Sequence, residues 1–314
     1  MVDGVLNIYK EKGYTSHDVV AKLRGILHQK KIGHTGTLDP EAEGVLPVCL
    51  GKATRLCDML TDNTKTYRAV LLLGRETDTQ DATGQTVSER EPEVTEEAVR
   101  EAVMSFAGDY DQIPPMYSAL KVDGKKLYEL ARAGKVVERQ PRPVVIHEIL
   151  VDHICLPRVT MTVCCSKGTY IRTLCHDIGR KLGCGGCMEA LVRTRAGRFR
   201  LEDSLKLSQV ESLWGQGSLG QHIVSIEEMF SGYRKLRTRK EADVLVRNGN
   251  PLKAEDLPLW GTWEQTGEWA GEETCQAGTD RYYRLYDSDG HFMGIYRWEE
   301  GKSRLMPWKM FLGG

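Results

Sequence analysis

The chain has 314 residues, 40% hydrophobic and 28% charged, with a net charge of −1. This is the profile of an ordinary globular protein, long enough for one large domain and a small one. No apolar run approaches the roughly 20 residues a membrane span needs, and the first residues, MVDGVLNIYKEKG, lack the basic-then-apolar plan of a signal peptide. A cytoplasmic protein with no membrane partner is therefore expected.

In chain order, Thr15-Ser-His-Asp18 fits a helix start, a hydroxyl cap with an acid three residues on. Val19, Val20, Leu23, Ile26 and Leu27 then recur at helical spacing. The stretch Lys31-Ile-Gly-His-Thr-Gly-Thr-Leu-Asp-Pro40 follows, running on through Glu41, Glu43 and Gly44 to Pro47. Its glycines permit backbone angles other residues avoid, and Pro40 pushes Asp39 toward an extended conformation. A carboxylate is thus presented on a stiff loop five residues from His34. The bland alternative is that Asp39-Pro40 caps and opens a short helix.

Lys65–Gly74 reads as a buried strand, because its apolar run is too continuous for a solvated sheet face. Thr77–Gly84 is turn-rich. Thr95 caps a helix whose Ala98, Val99, Ala102, Val103 and Phe106 share one face. Residues 122–132 read as loop and helix, and Pro141-Arg-Pro143 as a break before a strand at Val144–Ile149. Val159–Cys165 is β-rich and leads into a helix striped by Ile171, Leu174, Ile178 and Leu182, with Gly183 as its stop. Tyr170 and Arg172 then fall at a strand–helix junction. A second unit is expected from residue 233. There, Tyr282–Asp287 and His291–Tyr296 flank Ser-Asp-Gly as a β-hairpin.

The stretch GHTGTLDPEAEGVLPVCLG resembles the signature of the TruB family of pseudouridine synthases. Ile113–Lys121 and Leu191-Val-Arg-Thr-Arg-Ala-Gly-Arg-Phe199 resemble further family segments, and Pro307-Trp-Lys-Met-Phe311 completes a resemblance to the PUA module. The resemblance implies an α+β pseudouridine synthase fold over residues 1–232, with a mixed, mostly antiparallel central sheet flanked by helices. It implies a small C-terminal PUA-like β-barrel over residues 233–314. It also implies isomerisation of uridine 55 in the T-loop of tRNA, by a monomer needing no cofactor, no metal and no protein partner.

By the same resemblance Asp39 is the nucleophile or the stabiliser of a cationic sugar, which parallels the carboxylate of glycosidases. Arg172 is its basic partner, able to grip a carboxylate with two prongs. Tyr67 stacks on the target base, Tyr170 and Leu191 wall the pocket, and His34 fills the space left when the base is flipped out. Taken alone, each of these is as readily a core residue or a phosphate contact. The family opens with Lys-Pro-x-Gly. Here Lys10-Glu11-Lys12-Gly13 lacks the proline, so a less rigid loop is expected, with Lys12 as its substrate-binding candidate.

Residues 121–200 hold 16 Lys and Arg against 7 Asp and Glu, while 81–111 and 254–280 are acidic. A local excess that also carries site candidates reads as a phosphate-facing surface. Nine cysteines in a cytosolic chain read as thiols. Cys184-Gly-Gly-Cys187 is a lone CxxC, and a zinc site normally needs a second such pair or matching histidines. Two rival functions stand beside the isomerase. One is an RNA-folding chaperone using the same surface. The other is a hydrolase, which would need a second catalytic carboxylate such as Glu41 or Glu43.

Overall fold

The structure, a computed structural model, describes residues 2–61, 64–122, 124–257 and 281–311. In chain order it has β1 (Gly4–Lys10), α1 (Ser16–Leu27), β2 (Ile32–His34), β3 (Glu43–Leu50), α2 (Cys57–Thr61), β4 (Lys65–Leu73), β5 (Arg75–Thr77) and β6 (Thr86–Glu89). There follow α3 (Glu96–Met104), β7 (Gly108–Gln112), β8 (Lys121–Val122), β9 (Lys125–Lys126), α4 (Leu127–Arg132), β10 (Arg142–Cys155), β11 (Arg158–Cys165), α5 (Ile171–Lys181), β12 (Gly186–Ala196) and β13 (Phe199–Arg200). The remainder is α6 (Leu207–Gly215), β14 (Ile223–Val224), β15 (Arg234–Arg237), α7 (Asp243–Arg247), β16 (Tyr282–Tyr286), β17 (Phe292–Glu299) and β18 (Arg304–Met310).

The chain divides into two compact units. The larger comprises Leu6–Cys49 and Leu56–His222; the smaller, Met1–Val5, Leu50–Arg55 and Ile223–Gly314. The larger unit is built on a sheet in the order β1-β3-β12-β4-β11-β10-β7, with β2 added to β3 and β13 to β12. Neighbours run antiparallel from β12 to β7, whereas β12 and β3 run parallel at Val192–Glu43 and Arg193–Gly44. The expected mixed, mostly antiparallel α+β architecture is what the chain adopts.

Local chemistry explains the elements. Thr15 accepts from the Asp18 amide while Asp18 accepts from the Thr15 amide, so two orphan donors of α1 are satisfied reciprocally. Thr95 caps α3 one way only, its side chain accepting from the Ala98 amide. In β4, burial alternates instead of running continuously: Lys65, Ala69, Leu71 and Leu73 are buried, Arg68 is exposed and the others are partly buried. Pro143 lies inside β10, opposite Asp111 of β7, so the proline is accommodated within a longer strand and breaks nothing.

Under the sheet, α5 packs on β12 and α3 on β10. Their apolar faces join one core with Leu71, Ile146, Met161, Val163, Leu174 and Ile178. The smaller unit holds the sheet β15-β16-β17-β18, with the expected hairpin at β16–β17. Among the described residues these strands do not close into a barrel. Trp260, Trp263 and Trp269 lie outside the described residues. Also among the described residues, no helix is long and apolar enough to cross a membrane.

Candidate functional site

Asp39 stands on a loop with no helix, so the capping reading of Asp39-Pro40 is not what forms. The backbone on both sides of it is pinned. On one side Ser16, buried at the start of α1, accepts from the Leu38 amide at 3.0 Å and donates to the Leu38 carbonyl at 3.3 Å. On the other, Lys10 is wholly buried at the end of β1, and its Nζ donates to the carbonyls of Ala42 at 2.6 Å, Pro40 at 3.0 Å and Glu11 at 3.2 Å. Burial holds the Lys10 amine down at about 8, against the pull of Glu43, Asp39 and Glu41. Between these anchors the Asp39 side chain remains 44% exposed. A carboxylate that solvent reaches, on a backbone that cannot drift, is suited to meeting an incoming substrate.

Arg172, second residue of α5, reaches Asp39 from the first turn of that helix. Its Nε lies 3.0 Å from Asp39 Oδ2. The expected two-pronged grip on Asp39 is absent, because the other two nitrogens are occupied. Nη2 donates to the Tyr117 carbonyl at 2.8 Å and Nη1 to the Thr79 carbonyl at 3.1 Å, with Asp81 Oδ2 at 3.8 Å from Nη1. Arg172 is 5% exposed, so its plane is fixed by protein on three sides. The loop at 77–84 is itself rigid: Asp81 Oδ1 accepts from the Thr83 amide and the hydroxyls of Thr79 and Thr83, and Thr173 of α5 donates to Gln80.

Tyr170, at the N-cap of α5, is locked by Gln112 of β7. The Gln112 amide group accepts from the Tyr170 N–H at 2.7 Å and donates to its carbonyl at 3.0 Å. Tyr67 of β4 faces Arg193 of β12 directly across the antiparallel ladder, and Leu191 faces Ala69 two residues on. Leu191 and Tyr67 belong to the same apolar cluster as Leu38 and Ala42, the two flanks of the Asp39 loop. Burial pushes the hydroxyls of Tyr67 and Tyr170 above the usual tyrosine range. The His34 ring meets His17 edge-on at 5.2 Å, and its Nδ1 is buried without a hydrogen-bond partner. Burial, aided by the charges of His17 and Arg193, lowers its pKa to about 4, so the ring is neutral at physiological pH.

Asp39, Arg172, Tyr67, Tyr170 and Leu191 are thus carried by rigid elements of one unit. Lys12 is not held like them. It is 62% exposed and pairs with Glu41 at 3.2 Å, while Lys10 takes the buried position in that turn. Lys10, Asp81 and Arg193 are the residues that reading the sequence missed. A lysine closing the buried strand Gly4–Lys10 was the available signal for the first. Cys184 and Cys187 are both buried, and burial pushes the Cys187 thiol up to about 11, so it carries a proton near neutrality.

Comparison with known proteins bears on this arrangement. Residues 24–171 match the model of the TruB family pseudouridylate synthase N-terminal domain, and 172–231 match that of the tRNA pseudouridylate synthase B C-terminal domain. The tRNA pseudouridine synthase B of Lachnoclostridium phytofermentans is 50% identical over 99% of this chain and 100% of its own. That of Clostridium perfringens is 41% identical over 95% of this chain and 96% of its own. Among solved structures, a chain of an H/ACA ribonucleoprotein bound to a substrate RNA containing 2'-deoxyuridine superposes with a TM-score of 0.70 at 25% identity, covering 99% of this chain and 85% of that one. The chain belongs to the TruB family of pseudouridylate synthases, and is an isomerase.

Proposed function

We propose that this TruB-family chain converts uridine 55 in the T-loop of tRNA to pseudouridine, with Asp39 as the nucleophile. The reaction breaks the N1–C1′ bond, turns the base and forms a C5–C1′ bond, with the C5 proton given up and N1 protonated. Reactant and product are isomers, so no electron is gained or lost and no co-substrate is consumed. The observation that carries the reading is the Asp39 carboxylate: open to solvent, on a backbone pinned by Ser16 and Lys10, and aimed by Arg172 at 3.0 Å. Such preorganisation is what a group attacking one carbon of a bound nucleotide needs.

Several features support tRNA as the substrate. The curated relatives carry that substrate in their names, and residues 121–200 supply an excess of nine positive charges for phosphate contact. A T-loop uridine is stacked inside a folded RNA and must be flipped to be reached. His34, neutral and beside the Asp39 loop, is suited to occupy the vacated place without adding charge. Tyr67 and Leu191 offer flat and apolar surface to the flipped base, and Tyr170 lines the approach to Arg172. We assign the chemistry to residues 1–232 and additional grip on RNA to 233–314. Incubating purified protein with an unmodified tRNA transcript and mapping pseudouridine tests the proposal. One pseudouridine at position 55 is expected. Conversion at no T-loop uridine, or release of free base, would refute it.

A further inference from the structure

Arg193 is the largest fully buried side chain of the described residues, 1% exposed. Among these residues no carboxylate pairs with it. A buried cation with no acid beside it is costly, and an apolar side chain would fill the same volume without that cost. Its partners point to why it is there. Nε donates to the Val45 carbonyl at 2.6 Å and Nη2 to the Gly36 carbonyl at 2.9 Å. Tyr67 sits opposite it across the β4–β12 ladder, where the guanidinium charge acts on the Tyr67 hydroxyl. Gly36 precedes Asp39 and Val45 follows it, so one guanidinium grips the Asp39 loop before and after the carboxylate from the position that faces Tyr67.

The backbone is built around this grip. Gly44 pairs with Arg193 in the parallel β3–β12 ladder, and a Cβ on Gly44 would lie 2.3 Å from the Arg193 carbonyl oxygen. Gly36 has φ +66°, and a Cβ there would sit 3.2 Å from Arg193 Nη1. Both positions therefore suit glycine, for conformation and for room.

We propose that Arg193 is a positioning residue that braces the Asp39 loop against Tyr67, fixing the nucleophile and the base-facing ring relative to each other. The proposal rests on the isomerase reading above. Arg193 touches no reacting atom; it acts through Asp39 and Tyr67. Its positive charge also falls on the Tyr67 hydroxyl, opposing the upward push of burial.

The test uses the full chain with Arg193→Lys and Arg193→Met, read by kcat and KM on tRNA and by NMR of 13Cζ-labelled tyrosine, with the Tyr67 signal assigned through Tyr67→Phe. A lysine carries its donors at one point and cannot span the Val45 and Gly36 carbonyls, which two different guanidinium nitrogens serve, and a methionine serves neither. Expected is a kcat loss of about tenfold or more for Arg193→Met and a smaller loss for Arg193→Lys. KM should change little, the Tyr67 signal should shift in both variants, and its titration midpoint should rise in Arg193→Met. If Arg193→Met fails to fold, Arg193→Lys decides on the same two readouts. Wild-type kcat with an unmoved Tyr67 signal would overturn the brace, even if melting temperature fell. Were wild-type protein to convert no uridine, the isomerase reading would fail by itself, and the Tyr67 signal would still report whether the brace exists.

Discussion

Arg172→Lys keeps the charge and removes the geometry, and the structure says how much should be lost. The guanidinium makes three bonds with three nitrogens: Asp39 at 3.0 Å, the Thr79 carbonyl at 3.1 Å and the Tyr117 carbonyl at 2.8 Å. An ammonium carries its three donors at one point, so of acceptors spread around a planar guanidinium it can keep one well. Each bond from a charged donor contributes about 1.5–3 kcal/mol. At 5% exposure, water cannot replace a lost partner at the carbonyls. If the ammonium settles on one carbonyl, the other is orphaned, which costs roughly 1–3 kcal/mol of stability. Asp39 is 44% exposed, so water softens its loss and the lower figure applies. That is about 1.5 kcal/mol, or roughly tenfold in kcat. Single-turnover formation of pseudouridine on a tRNA transcript gives the rate, and thermal melting gives the stability. A lowered melting temperature with wild-type turnover would show that Arg172 only props the 77–84 loop. No change in either would refute the reasoning.

Asp39→Asn should abolish conversion while leaving tRNA affinity within about tenfold, roughly 1.4 kcal/mol, because the amide fits the same loop but is a very poor nucleophile; a gel-shift titration beside the activity assay checks both. If that variant still refolds misfolded tRNA, chaperone action is separable from chemistry. Lys10→Met removes a donor from three carbonyl oxygens, of which Pro40 keeps the Gly13 amide at 2.9 Å while Glu11 and Ala42 are orphaned. Each orphaned acceptor costs about 1–3 kcal/mol, so a fall in melting temperature with a slower kcat is expected, and an unchanged melt would contradict the pinning of the loop. His34, at about 4 when folded and 6.5 when unfolded, binds its proton more weakly in the native state. Its contribution to stability is therefore full above pH 6.5 and is lost as pH falls through about 4. Urea melts from pH 7 to 4 should show this slope, and His34→Gln should flatten it.

The parts of the fold legible in the sequence are those whose causes are local. The Thr15–Asp18 and Thr95 caps, the stripe of α5 and the Ser-Asp-Gly hairpin each depend on residues a few positions apart, and they form where the spacing puts them. The continuous apolar run at Lys65–Gly74 misled about burial because hydrophobicity alone does not say which face a helix will cover. Sheet order was not legible at all. Nothing near β3 announces that its parallel neighbour is β12, about 150 residues away, and the Arg193–Gly44 packing exists only through that pairing.

The site follows the same division. Asp39, Tyr67 and Arg172 could be picked out because their side chains belong to a recognisable stretch. The groups that hold them could not, because their partners are main-chain carbonyls. Lys10 binds those of Glu11, Pro40 and Ala42, Arg172 those of Thr79 and Tyr117, and Arg193 those of Gly36 and Val45. Every residue has a carbonyl, so no residue type marks an acceptor, and only the folded chain selects these seven. Lys10 and Lys12 are likewise equal as letters, and only the folded chain sends Lys10 into three carbonyl oxygens and leaves Lys12 exposed beside Glu41. Three buried cations, each making most of its hydrogen bonds to backbone, surround one open carboxylate. Substituting any of them loosens the frame around Asp39 before it alters the charge Asp39 sees. The variants of Lys10, Arg172 and Arg193 should therefore share a signature, a kcat loss larger than the change in KM. A variant of the exposed Lys12 should not.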